Sequence, residues 1–223
     1  MRILAIETSD KTADIALLDT EHDQVWKKEL KTVQKVSETL VDEIKELFQS
    51  VEYADLRTLR ITDIDLVAVG IGPGSYTGTR VGIATAKGLA QGLKVKMIGV
   101  TSFEALIEAI DEDYEDTEII PLIDAKNDRV YFQIGEEQGC SDISEVLERL
   151  KDKNYVFVGT GATTHRGLIA ERFQEQAKVD DRDQVSAKFI AQIAQGRAEA
   201  NLHDNAIALK PLYINKPNIG TKK

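Results

Sequence analysis

The residues with the widest chemical reach in this chain stand where two apolar runs end. The first run, Arg2 to Glu7, closes on Glu7-Thr8-Ser9, a carboxylate followed by two hydroxyls. The second passes from Val67 to Ile71 into Gly72-Pro73-Gly74-Ser75 and then into a helical pattern. Backbone N–H groups at a helix start, kept clear by glycine, make a ready anion site. Glu7, Thr8, Ser9, Gly72, Gly74 and Ser75 are therefore the candidate nucleotide or phosphate contacts. Neither familiar fingerprint is complete, however. A P-loop needs Gly-Lys where Thr77-Gly78 stand, and the dinucleotide motif needs glycine in place of Thr77. On the loop alone, a structural strand-to-helix turn is the stronger reading.

Metal and nucleophilic chemistry find less support. His22, His165 and His203 are the histidines, and no two of them are four apart as a helical metal pair requires. Ser9, Ser75 and Ser102 stand at helix or turn starts, where a hydroxyl is ordinarily a cap. The expectation is a chain with neither metal site nor catalytic residues of its own. Cys140 is the one cysteine, which excludes an internal disulfide and fits a reducing compartment. With no continuous apolar span of membrane length and no signal-peptide pattern before the first strand, the expected location is the cytoplasm. The formal net charge of -10 argues against direct binding of a polyphosphate backbone.

The glycine loop opens a helix that keeps Gly78, Gly82, Gly88 and Gly92. Each interior glycine costs roughly 1 kcal/mol relative to alanine. Gly78 with Gly82, and Gly88 with Gly92, recur at four-residue spacing, which predicts a small-residue face for close approach of another backbone. Around this helix the periodicity predicts strands over 2–7, 13–18 and 24–30 as an antiparallel meander. An amphipathic helix follows from about Val33 to Val51, its apolar positions at Val33, Val36, Leu40, Val41, Ile44, Leu47, Phe48 and Val51. Strands over 64–70 and 94–100 flank the glycine helix, and Thr101-x-x-Glu104 marks a capping box for a helix to about Ile110.

That order is the ribonuclease-H-like α/β arrangement, a mixed sheet with helices on both faces. A second, reduced set follows: a hairpin over 118–124 and 129–134, a short helix over 144–150, a strand over 155–158 leading to Gly159-Thr160-Gly161, and helices over 165–176 and 186–200. Two lobes of the actin-like (ASKHA) kind are predicted, 1–102 and 103–223, with the acidic stretch 111–116 as a solvated connection and the tail near 209–220 packing back on the first lobe. An actin-like small-molecule kinase or ATPase is one function such lobes allow.

The motifs resemble one family over nearly the whole chain. Met1 to Ser9, Gly72 to Gly88 and Val100-Thr101-Ser102-Phe103-Glu104-Ala105-Leu106 are similar to the bacterial TsaB (YeaZ) family, and Asp124-Ala125-Lys126-Asn127-Asp128-Arg129-Val130-Tyr131, Gly159-Thr160-Gly161-Ala162 and Pro211-Leu212-Tyr213-Ile214 continue the match. The resemblance implies a non-catalytic scaffold in transfer RNA threonylcarbamoyladenosine modification. It would support the transferase TsaD and the ATPase TsaE, pair with itself when alone, and meet transfer RNA only through the complex. ATP and magnesium would serve that complex and not this chain. The resemblance also implies a bundle of the two first-lobe helices with two from the partner, which makes Val36, Leu40, Ile44, Thr77, Gly78, Val81, Gly82 and Thr85 the expected partner contacts. Val36-Ser37 departs from a His-Ser pair frequent in the family.

Overall fold

A computed structural model of the chain describes residues 1–30, 36–51, 59–110, 114 and 117–214. They form two compact units, one of the described residues within 1–110 and 184–211, the other of those within 111–183 and 212–214. The expected division at 102/103 is thereby corrected. The helix over 102–108 and the late helix over 187–199 both belong to the first unit, where Phe103 and Leu106 of the one and Ile190, Ala191 and Ala194 of the other are buried. The acidic stretch 111–116, apart from Tyr114, and the tail beyond Ile214 lie outside the described residues, as does the expected helix start at Val33.

In the first unit, β1 (Arg2–Glu7), β2 (Asp14–Asp19), β3 (Gln24–Glu29), β4 (Leu66–Gly70) and β5 (Lys96–Val100) form one sheet in the order β3-β2-β1-β4-β5. β1 runs antiparallel to β2 and parallel to β4, with Glu7 opposite Asp14 and Ile6 opposite Val69. The strands β1, β2 and β4 are buried nearly throughout and read as continuous apolar runs, whereas β3, at the edge, carries charge at Lys27, Lys28 and Glu29. α1 (Val36–Ser50) and α2 (Tyr76–Leu93) share a core with Leu4, Ile6, Val67 and Val69. α7 (Ala187–Glu199) packs on β1, β2 and β4, and it touches α3 (Ser102–Glu108). Alternation along β1 turns Ile6 toward α2 and Glu7 toward α7, where Ile190 lies. After α7 the chain straps the free edge of β5. Asp204 bridges Met97 and accepts a hydrogen bond from Gly99 N at 2.8 Å, and Leu209 joins the core.

The second unit repeats the plan. Its strands β6 (Glu118–Asp124), β7 (Arg129–Ile134), β8 (Glu137–Asp142), β9 (Tyr155–Val158) and β10 (Ala177–Val179) stand in the order β8-β7-β6-β9-β10, with the same parallel and antiparallel pairings as the first sheet. α4 (Ile143–Arg149), α5 (Thr160–Thr164) and α6 (Arg166–Phe173) cover a core in which the rings of Tyr155, Phe157 and Phe173 stand 5.3 to 5.8 Å apart. The strands β8 and β10 are absent from the sequence reading. Glu137-Gln138-Gly139-Cys140-Ser141-Asp142 has no apolar alternation, and only tertiary pairing with β7 makes it a strand.

Candidate functional site

The turn after β1 and the start of α2 are brought together as expected, but they close on each other. Thr8 donates its hydroxyl to Gly78 O at 2.7 Å, Ser75 N donates to Ser9 O at 2.6 Å, and the hydroxyls of Ser9 and Ser102 are 3.1 Å apart. Ser75 caps α2 by accepting from Gly78 N at 3.2 Å. Gly72 has φ +87°, a conformation that favours glycine, and its carbonyl accepts from Ser102 N at 2.8 Å. The backbones pack without room to spare. A methyl added at Gly74 would lie 2.3 Å from Ser9 O, and one at Gly78 1.9 Å from Thr8 O.

Glu7, Thr8 and Ser9 are buried. Glu7 accepts from Ser9 N through Oε1, while Oε2 has no hydrogen-bond partner and stands over Gly70, where a methyl would be 1.8 Å away. Burial pushes its carboxyl up to about 8, against the Ser9 hydrogen bonds and with help from the nearby Asp14 and Asp10 charges. Asp14 is also raised by burial, but it has compensation. It pairs with Lys27 at 3.0 Å and accepts from Ser186 Oγ at 3.0 Å and Ala187 N at 2.9 Å. Of the six candidate phosphate contacts, the three at the end of β1 and in its turn have thus spent their exposure, and Thr8 and Ser9 their hydroxyls, on internal packing. Ser75 alone of the six is well exposed. The second glycine turn behaves alike: Gly161 presses on the Leu122 backbone and Thr160 Oγ1 accepts from Asp124 N at 3.1 Å.

The expected partner contacts divide. Val36, Leu40 and Ile44 are 4, 2 and 1% exposed and fill the core beneath α1, so they position the helix rather than its outer face. Gly78 and Gly82 face Thr8 of the same chain, so their missing side chains admit the β1 turn and not a partner. Both corrections have one cause: an i, i+4 stripe shows that a face is packed, not which neighbour packs it. Thr77 is exposed, and Val81 and Thr85 are half-buried. Methyls at Gly88 and Gly92 would meet nothing within 4 Å, so these two glycines form the open small-residue stretch.

An outer surface nevertheless exists. A pocket of about 360 Å³ on α2 is lined by Tyr76, Thr77, Arg80, Val81 and Ala84, with Tyr76 44% exposed. Arg80 lies 5.2 Å over the Tyr76 ring and donates to its hydroxyl at 3.0 Å. A smaller groove of about 240 Å³ runs between the helices, where Val41, Phe48, Ile61 and Leu89 contribute. Val41, placed among the core positions by its sequence spacing, is 51% exposed. The charged residues of α2 are Arg80 and Lys87, whereas α1 carries Glu38, Asp42, Glu43 and Glu46 against Lys45. Tyr76, Arg80 and Ala84 were missed by sequence reasoning, and the i, i+4 spacing of Tyr76 with Arg80 and of Arg80 with Ala84 is the signal that marks them.

A family model described as TsaD, tRNA N6-adenosine threonylcarbamoyltransferase, matches residues 31–217 and places the chain in that family. The tRNA threonylcarbamoyladenosine biosynthesis protein TsaB of Bacillus subtilis is 32% identical over 77% of this chain and 76% of its own. Within the larger family, the chain belongs to TsaB (YeaZ). The Haemophilus influenzae TsaB is 26% identical over 96% of this chain and 93% of its own length. The fold agrees: YeaZ from Pseudomonas aeruginosa superposes with a TM-score of 0.75 at 20% identity, covering 96% of this chain and all of that one. The two ASKHA-like lobes expected from the strand order are the fold observed. No helix among the described residues is long and apolar enough to cross a membrane.

Proposed function

We propose that this chain is the non-catalytic scaffold of a cytoplasmic complex for transfer RNA threonylcarbamoyladenosine biosynthesis, docking a TsaD homologue through the outer face of α1 and α2. Its TsaB relatives carry the name of that pathway. The observation that carries the scaffold role is the division of α2. Its inner glycines are consumed by the β1 turn, while Tyr76, Thr77, Arg80, Ala84, Gly88 and Gly92 are exposed and offer an apolar, small-residue surface with one cation–π pair, Arg80 over Tyr76. Such a surface accepts a helix at close range. The groups that would serve a nucleotide at the end of β1 are buried, with Thr8 Oγ1 and Glu7 Oε1 bonded within the chain. ATP, magnesium, transfer RNA and the TsaE homologue are then handled by the assembled complex, and this chain also pairs with itself through the same face when no partner is present.

The test is co-purification with the TsaD homologue of the same genome, followed by reconstitution with modified nucleoside read by mass spectrometry. Ala84→Arg and Gly88→Arg change exposed positions, so both chains should fold and bind at least about tenfold more weakly. Omitting the chain should abolish modification. Undiminished binding by both variants would refute the docking face. Turnover of ATP by the chain alone would refute the scaffold role and favour the kinase reading.

A further inference from the structure

The buried carboxyl of Glu7 takes no part in the docking face, yet it stands where three elements of the first unit meet. Its neighbours are β4 at Gly70, α7 at Ile190 and the β1 turn at Ser9. Gly70 is the clearance for it, because a methyl there would lie 1.8 Å from Oε2. That oxygen has no hydrogen-bond partner. An ionised carboxylate left so would suffer the full desolvation penalty, whereas a neutral acid tolerates the site at much lower cost. The charged groups facing it increase the contrast. Asp14, its register partner on β2, is held as part of an ion pair with Lys27 of β3 and by the start of α7, and Asp10 stands in the turn beyond, accepting from Val185 N at 3.0 Å. Lys27 is thus engaged with Asp14, and the group of α7 that comes up beside the carboxyl over Gly70 is the apolar Ile190.

We propose that Glu7 is a proton-dependent lock on the first unit: neutral, it lets α7 and the β1 turn close over the sheet, and its ionisation loosens both the first turn of α7 and the glycine loop that starts α2. The coupling to α2 runs through hydrogen bonds already described. Ser9, whose N–H the carboxyl holds, receives Ser75 N on its carbonyl, and Thr8 beside it holds Gly78 O. The proton leaves to solvent and no other group changes state. Burial places the transition near the upper edge of physiological pH.

Amide hydrogen exchange on the intact chain tests this without a TsaD homologue, and because the 185–191 window lies at α7, away from the docking face, failure of the docking proposal would be distinguishable. Protection factors, corrected for the intrinsic pH dependence of exchange, are read between pH 6.5 and 9.5. Those over 72–82 and 185–191 should fall at least about tenfold across pH 8, while those over 146–150 in the second unit stay level. Glu7→Gln should remove the fall. Level protection in the unaltered chain, or an equal fall in Glu7→Gln, would overturn the proposal. Should that variant fail to fold, Asp10→Asn serves instead. Removing a facing like charge must move the transition to lower pH, and an unmoved midpoint would overturn the lock equally.

Discussion

Alanine at Gly78 and alanine at Gly88 should change stability in opposite directions, although both positions lie in α2. The helix gains about 1 kcal/mol of intrinsic propensity from either substitution. At Gly88 nothing opposes the gain, since the new methyl meets no atom within 4 Å. At Gly78 the methyl would stand 1.9 Å from Thr8 O. Carbon does not approach a carbonyl oxygen much closer than about 3.3 Å, so the turn must retreat by about 1.4 Å. That movement breaks the Thr8 hydroxyl bond to Gly78 O, worth about 1 kcal/mol, and adds overpacking of about 1–3 kcal/mol. Net destabilisation by Gly78→Ala is then about 1–3 kcal/mol, and the two variants differ by about 2–4 kcal/mol. Gly82→Ala should fall between them, because the atom it meets at 2.3 Å is the Thr8 hydroxyl, which can rotate away. Trp26 is the single tryptophan and lies on β3, so its fluorescence follows unfolding of the first unit. Each kcal/mol should move the melting temperature by about 2–4 °C for a chain of this size. If Gly78→Ala melts with the unaltered chain, or Gly88→Ala melts below it, the assignment of the inner glycines to the β1 turn is wrong.

Stability should also depend on pH through Glu7. Its folded value, about 8, lies above the ordinary 4.5, so the folded state holds the proton more tightly. This contribution is complete below about pH 4.5 and drains away as pH rises through about 8, by several kcal/mol in total. Denaturant midpoints of Glu7→Gln should lack that decline, and parallel pH profiles for the two chains would refute it. Thr101→Ala removes the hydroxyl that accepts from Glu104 N at 3.1 Å and should cost about 1 kcal/mol by denaturant titration. Asp204→Ala leaves Gly99 N without its acceptor. Exchange of that amide should rise while β1 amides stay protected, and unchanged Gly99 exchange would show that the strap does not hold β5.

The order of elements from β1 to α3 was legible in the sequence, because each has its own period. Near-continuous apolar residues mark β1, β2 and β4, the stripe Val36, Leu40, Ile44, Leu47 marks α1, and Thr101 with Glu104 marks the start of α3. Family was legible there too, since the motifs around Glu7, Gly72 to Gly88 and Thr101 are local strings. Tertiary structure alone decided what those motifs touch. That Gly78 and Gly82 receive Thr8, that Val41 is exposed while Leu40 is buried, and that Glu7 lies beneath α7 all depend on which distant segment covers each face. The return of 184–211 to the first unit and the pairing of β8 depend on the same thing. Periodicity records that one side of an element is packed. Only the neighbour's position shows whether a gap in the side chains is filled from within the chain or left for a partner.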